Sequence, residues 1–422
     1  MQNRALFFIF LFIIFTQTSF SQGNGNGKLR ESAIKVFLDC HRCDNDFVKR
    51  EIPYVNYVRE RKEADVHILV TTERTGSGGI EYQINYLGQN GYEGIEDQVR
   101  YISSADDTGE VTRQGRTNMM ALGLMQFVSK TPLANKIKIT YNGNGHKEAD
   151  KEVVIDKWNS WVFDTDFSVD YDQQSTYINP EAEADFSVEK ITPDWKVEFA
   201  TGYDYVLRKY IYEDTIYQST RNNASFRHLL VKSLNDHWSV GGRIYFNSDT
   251  YQNRKLAWSI YPAVEYNVFP YYESSLKQFR FQYRVGYGYN YYSEETIYKK
   301  MEEGLFGQQL SVAYALRQPW GYVNSSLSGF TYLHDLSKNN LQFSTWVSIR
   351  LFKGLSLSLS GRAKLIHDQL SLPKSGSTAE EVLLRQRQIA TSYSYSFKVG
   401  FSYTFGSIYN NVVNPRFGDS RY

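Results

Sequence analysis

Every second residue from Tyr393 to Phe405 is apolar: Tyr393, Tyr395, Phe397, Val399, Phe401, Tyr403 and Phe405 alternate with Ser394, Ser396, Lys398, Gly400, Ser402 and Thr404. In an extended chain successive side chains point to opposite faces, so this stretch makes a strand with one greasy and one wet side. A helix of the same residues would scatter its aromatics around the whole circumference. The pattern recurs, with about twelve such segments between Trp161 and this stretch's end. A chain built this way must form a large antiparallel sheet and cover its apolar face.

The first segment sets Trp161, Phe163, Phe167, Val169 and Tyr171 against Asp164, Asp166, Ser168 and Asp170. The second sets Pro180, Ala182, Ala184, Phe186 and Val188 against Glu181, Glu183, Asp185 and Glu189. Trp195, Val197, Phe199, Tyr203 and Tyr205 line the outer side of the third, and 238–246, 256–268 and 279–291 repeat the theme. Others begin near Gln308, Tyr322, Leu341 and Leu355, while 223–233 and 322–333 alternate less clearly. Each is near the roughly 10 residues a tilted membrane strand needs. Tight turns at 192–194, 234–237, 318–321 and 353–354 separate longer polar loops at 208–222, 293–304 and 369–388. Trp161, Trp195, Trp238 and Trp320 all fall at the short-turn end, where an aromatic girdle belongs.

The stretch from Lys398 to Phe405 reads polar, x, glycine, x, x, aromatic, x, aromatic, with Gly400, Tyr403 and Phe405 at the marked places. It resembles the terminal-strand signal by which outer-membrane β-barrels are recognised by their assembly machinery. Over about residues 159–405 the chain resembles, at class level, uncharacterised Gram-negative outer-membrane β-barrel proteins with an N-terminal periplasmic domain. The resemblance implies an all-β transmembrane barrel of about twelve antiparallel strands, with outer-membrane lipid and the barrel assembly machinery as partners. Short turns and both termini then face the periplasm. Arg4, an apolar run from Leu6 to Phe15, and Ser19 and Ser21 before Gln22 read as a secretory signal peptide over 1–21. No later stretch has the roughly 18 uninterrupted apolar residues of a membrane helix. The expected organisation is a signal peptide at 1–21, a periplasmic α+β domain at 28–157, the barrel at 158–405 and a periplasmic tail at 406–422.

Inward positions carry opposite charges in different strands. Asp164, Asp166, Asp170, Glu181, Glu183, Asp185, Glu189, Glu198 and Asp204 make the early strands acidic, with Lys196 the main exception; Arg243, Arg280, Arg284, Arg350, Arg362, Lys364 and Lys398 make the later ones basic, with Glu265 and Asp368 against them. An acidic wall opposite a basic one sets up a transverse field that favours polar solutes. The same charges can instead pair and plug the interior, and a one-residue slip of register would turn them outward.

Residues 28–157 read differently. A strand is expected at 34–39, a helix at 44–61, a hairpin pair at 66–72 and 80–87 around Gly76-Ser77-Gly78-Gly79, a helix at 111–130 and a last strand at 136–141. That βαββαβ order suggests a small α+β domain, with a surface linker at 142–151. It resembles the small α/β modules that precede other envelope proteins, such as the N-terminal domain of the Tol-system propeller protein. Gating, or docking of a periplasmic protein partner, is the role expected of residues 28–157. The only cysteines are Cys40 and Cys43. A disulfide is the default for an exported chain. A thioredoxin-like redox site, with Thr131-Pro132 as the cis-proline, and a metal site with His41 are the alternatives.

The net charge of +1 argues against nucleic acid, which normally demands a basic face. His237-Trp238-Ser239 has the outline of a lipid-hydrolase pair, but Ser239 is expected to face inward. His228 and His367 lack a serine partner, and no GxSxG elbow or zinc motif occurs. No cofactor, metal or catalytic residue is expected. The function these features favour is a narrow passive channel for small polar solutes or ions. The alternatives are a non-conducting envelope adaptor and a lipid-modifying barrel enzyme.

Overall fold

Two sheets account for nearly all the regular structure in the computed structural model, which describes residues 32–41, 43–139, 158–212, 215–376 and 387–406. The expected export signal, the linker at 142–151 and the tail beyond 406 lie outside the described residues.

The smaller sheet has five strands in the order β2-β1-β3-β4-β5: β1 (Lys35–Asp39), β2 (Asn56–Tyr57), β3 (Val66–Arg74), β4 (Ile80–Gly88) and β5 (Glu96–Ser103). β1 runs parallel to β2 and β3, and β3, β4 and β5 are antiparallel. Helix α1 (Asn45–Glu51) begins where the Asp44 side chain accepts the Phe47 N–H. It is much shorter than the helix expected over 44–61. Pro53 cannot donate and pushes Ile52 out of the helical region, and Ile52 sits at ψ 66°. Val55 and Val58 still reach the interior, but from the residues on either side of β2 and not from a helix. Helix α2 (Gly109–Val128) starts at a Thr108 cap and buries Met120, Leu124, Phe127 and Val128, the face its spacing predicts.

The last expected strand, at 136–141, is not formed in its described part. Pro132–Lys136 is a 3-10 turn capped by Thr131, and 137–139 are irregular. The fifth strand comes instead from β5, whose alternation is confined to Val99, Tyr101 and Ser103 facing inward after three exposed polar residues. The order is therefore βαββββα followed by a short turn.

The larger sheet has twelve strands, each antiparallel to its neighbours in the chain. They are β6 (Trp161–Gln174), β7 (Tyr177–Ile191), β8 (Trp195–Tyr212), β9 (Thr215–Ser233), β10 (Trp238–Asp249), β11 (Arg254–Asn267), β12 (Lys277–Tyr292), β13 (Glu302–Gln318), β14 (Gly321–Tyr332), β15 (Asn339–Phe352), β16 (Leu355–Ile366) and β17 (Tyr393–Tyr403). The expected loop at 208–222 is instead the tip of a long hairpin. Tyr210, Tyr212, Ile216 and Tyr217 continue the ladder as far as Tyr212↔Thr215. Pro262 breaks the ladder between β11 and β12, which pairs Ile260↔Tyr287 and resumes at Ala263↔Arg284. At the break Gly286 lies so close that a Cβ would stand 2.0 Å from the Ile260 carbonyl oxygen.

The sheet is not closed into a barrel. β6 pairs only with β7 and β17 only with β16, leaving both as edges. Alternation dictates which way side chains point but says nothing about which edges meet.

Directly paired residues share a face, so register traces each face across the sheet. Phe163↔Val188↔Phe199 begins the apolar side, and Leu341↔Leu365↔Tyr393 ends it. That side is exposed from edge to edge, including Phe167 at 75%, Leu310 at 50% and Phe397 at 77%. No described helix is long and apolar enough to cross a membrane.

Candidate functional site

The polar face is the opposite side of the same strands. Asp164, Asp166, Asp170, Glu183 and Asp185 stand on β6 and β7, Arg243 on β10, Arg280 and Arg284 on β12, Arg350 on β15, Arg362 and Lys364 on β16 and Lys398 on β17. Register carries one side through Glu189↔Glu198↔Leu229↔Arg243. It carries the same side through Ser239↔Glu265↔Gln282↔Ser311↔Ser328↔Gln342↔Lys364. All the charged residues singled out in the sequence therefore share one side.

Some of these charges are paired within the sheet. Arg227 meets Glu198 at 2.7 Å and Arg280 meets Glu265 at 3.7 Å, while Arg284 bonds Gln309. Arg243, Arg362, Lys364 and Lys398 form no ion pair among the described residues. The face is thus only partly neutralised.

The five-stranded domain sits against the short-turn end of this sheet. Ser274 and Ser275, before β12, donate to Glu73 and Gln83 at 2.8 and 2.9 Å, and Arg317 of β13 reaches the Val70 carbonyl. Between β15 and β16, Lys353 pairs with Glu63, and the Gly354 N–H donates to Glu60 at 2.9 Å. The two edges are reached as well. Gly76 approaches Ile191 at the foot of β7, Gly78 approaches Val162 of β6, and Arg59 donates to the Phe405 carbonyl beyond β17 at 3.3 Å. One small domain therefore touches the lower ends of both edges, which requires the sheet to curl.

At the centre of the junction is Asp39, the last residue of β1. Its Oδ2 accepts from Arg350 Nη1 at 2.8 Å and lies 3.3 Å from His67 Nε2. The Arg350 guanidinium also stacks over Phe37, 4.9 Å from the ring centroid, and donates to the Pro319 carbonyl. Burial alone would raise the Asp39 carboxyl, but hydrogen bonds from His67 and Arg350, with the Arg350 charge, hold it well below the usual carboxylate range. Burial lowers His67, against the pull of Asp39. We therefore read His67 as a neutral imidazole whose Nε2–H donates to the carboxylate, a hydrogen bond and not an ion pair.

Above this junction a cavity of about 780 Å³ opens between Asp39, Cys40 and His41 of the domain and Tyr322, Asn324, Trp346 and Ser348 of the sheet. A neighbouring cavity of about 510 Å³ continues along β15, β16 and β17, lined by Trp346, Ser360, Arg362 and Lys398. Trp346 borders both.

Cys40 and Cys43 are joined in a disulfide, with their Cα atoms 5.4 Å apart. Pro132 does not supply the cis-proline of the redox alternative, since no cis peptide bond occurs among the described residues. No cluster of three or more His, Cys, Asp or Glu able to hold a metal ion is found among the described residues. Ser239 lies on the polar side and meets the Tyr271 hydroxyl at 3.1 Å, whereas His237 Nδ1 meets the Asn267 carbonyl at 2.8 Å. The two are thus engaged with different partners. Gly400, Tyr403 and Phe405 lie on and just beyond β17, with both aromatics exposed.

Sequence reasoning missed Asp39, Glu60 and Trp346. The first two gain meaning only from contacts across long stretches of chain. Trp346 carries a local signal, being an aromatic out of phase with Phe343, Val347 and Ile349 on its own strand. The chain matches no family model, and no curated protein matches it significantly.

Proposed function

We propose that the chain is an outer-membrane β-barrel in which β6 and β17 meet, the polar face lines a narrow passive channel for small polar solutes or ions, and the five-stranded domain restricts its periplasmic end. The observation that carries this reading is the segregation of the twelve strands into an exposed apolar face and a partly unneutralised charged one. Lipid suits the first and water the second. Unpaired edges of eleven and fourteen residues invite closure, because open edges are unstable in hydrocarbon and prone to aggregation in water. Contact of both edges with one small domain keeps their lower ends near each other.

Closure also revises the expected arrangement of charge. Lys398 of β17, with Arg362 and Lys364 of β16, would stand beside the acidic β6 and not across from it; Arg280 and Arg284 of β12 would lie opposite. The field is then part seam and part cross-channel. Twelve strands fall between small filled barrels and wide porins, which suits a narrow passage.

A second reading, a non-conducting adaptor, is favoured by the span of the domain contacts around the short-turn end. Conductance separates the two. The full chain, refolded and inserted in planar bilayers, is expected to give discrete ion-selective current steps. Silence from protein that shows heat-modifiable mobility on a gel would sink the channel and leave the adaptor.

A further inference from the structure

We infer that the polar face carries a binding site for an acidic oligosaccharide, centred on Trp346. It rests on the reading above only in treating this face as the interior of a barrel.

The position of Trp346 is what needs explaining. It stands on β15 among Gln342, Ser344, Ser348 and Arg350, on the polar side, yet it is 51% exposed. An indole there neither packs in a core nor meets lipid. Tyr322 contacts it edge-on, with ring centroids 5.3 Å apart and planes at 86°, which orients the indole without stacking on it. Its direct partners across the sheet are Asn324 on β14 and Ser360 on β16, and Ser360 pairs in turn with Lys398 on β17. Arg362 sits one step along the same face, paired with Ser344.

A ligand matching these groups needs a flat CH-rich face for the indole, many hydroxyls for the amide and serine side chains, and negative charge for Arg362 and Lys398. Those two cations have no ion-pair partner among the described residues. A sugar ring meets the first two needs, and a carboxylate on it meets the third. The adjoining cavities, about 780 and 510 Å³, are of ligand-site size and give room for more than one ring.

The test is calorimetric titration of the full chain in detergent micelles with trigalacturonate, maltotriose, citrate and adenosine monophosphate in parallel. Trigalacturonate is expected to bind at least tenfold more tightly than each of the other three. Trp346→Ala should weaken it about tenfold or more, Trp346→Phe should stay within a few-fold of the parent, and Arg362→Gln with Lys398→Gln should weaken it about tenfold. Trigalacturonate that fails to bind, or binds no better than citrate or the nucleotide, overturns the proposal. Equal affinity in the parent and Trp346→Ala, or in the parent and the double glutamine variant, overturns it too. The titration needs no conduction, so binding by a silent protein would reject the channel while upholding the site.

Discussion

Asp39 shows how a single carboxylate joins two bodies. Its Oδ2 serves His67 from the same domain and Arg350 from the large sheet, so removing either partner leaves a mostly buried charge underserved. Arg350→Gln should cost the junction about 3 kcal/mol. The expected readout is roughly hundredfold faster amide exchange in β1 and β3, and unchanged exchange would show that the junction is held elsewhere. The pH dependence has a definite sign. The Asp39 carboxyl is depressed in the folded state, so its contribution is present above the unfolded carboxylate range and lost as pH falls toward the folded value. His67 is also depressed, and the unfolded chain takes up its proton first, so weakening begins below about pH 6.5. Protection of the junction should therefore hold at neutral pH and fall continuously on acidification.

At the scale of elements, α2 is held to the small sheet by a close fit. The Tyr86 ring lies where a side chain at Gly123 would begin, with a Cβ placed 2.3 Å from the ring, and the Tyr86 hydroxyl donates to the Met120 carbonyl at 3.0 Å. Gly123→Ala should destabilise the domain by about 2 kcal/mol through overpacking. A denaturant midpoint equal to the parent's would show that the helix can shift without cost.

What could be read in advance divides along physical lines. The register-two pattern of β12 and β17 and the buried spacing of Met120, Leu124 and Phe127 were legible because each depends on local periodicity. The short α1, ended by Pro53, was misread because apolar spacing at Val55 and Val58 outweighed a backbone rule. β5 was not legible because its alternation spans only Val99, Tyr101 and Ser103, and Ile102 stands exposed on the outer phase. The shared side of Asp164 and Arg362 was legible from phase alone, while the junction around Asp39 was not, since its partner stands 311 residues away.

At the scale of the whole molecule, the proposed channel should respond to charge on its polar side. Exchanging Arg280 and Arg284 for Glu removes two positive charges and adds two negative ones on β12. The reversal potential under a salt gradient is expected to move toward cation preference, by an amount that shrinks as ionic strength rises. A reversal potential that does not move would place these side chains outside the conducting path. The same substitutions leave the apolar side untouched, so insertion should be unaffected.

The contacts of Gly78 with Val162 and of Arg59 with the Phe405 carbonyl have a geometric consequence. A sheet of hairpins has no intrinsic perimeter, because each added hairpin lengthens it. Here the lower ends of the first and last strands both approach one body of fixed width, so that body acts as a gauge for how far the sheet can spread. A duplicated hairpin in the middle of the sheet would leave every existing strand pair intact, yet the longer sheet would no longer bring both its edges down onto the same base.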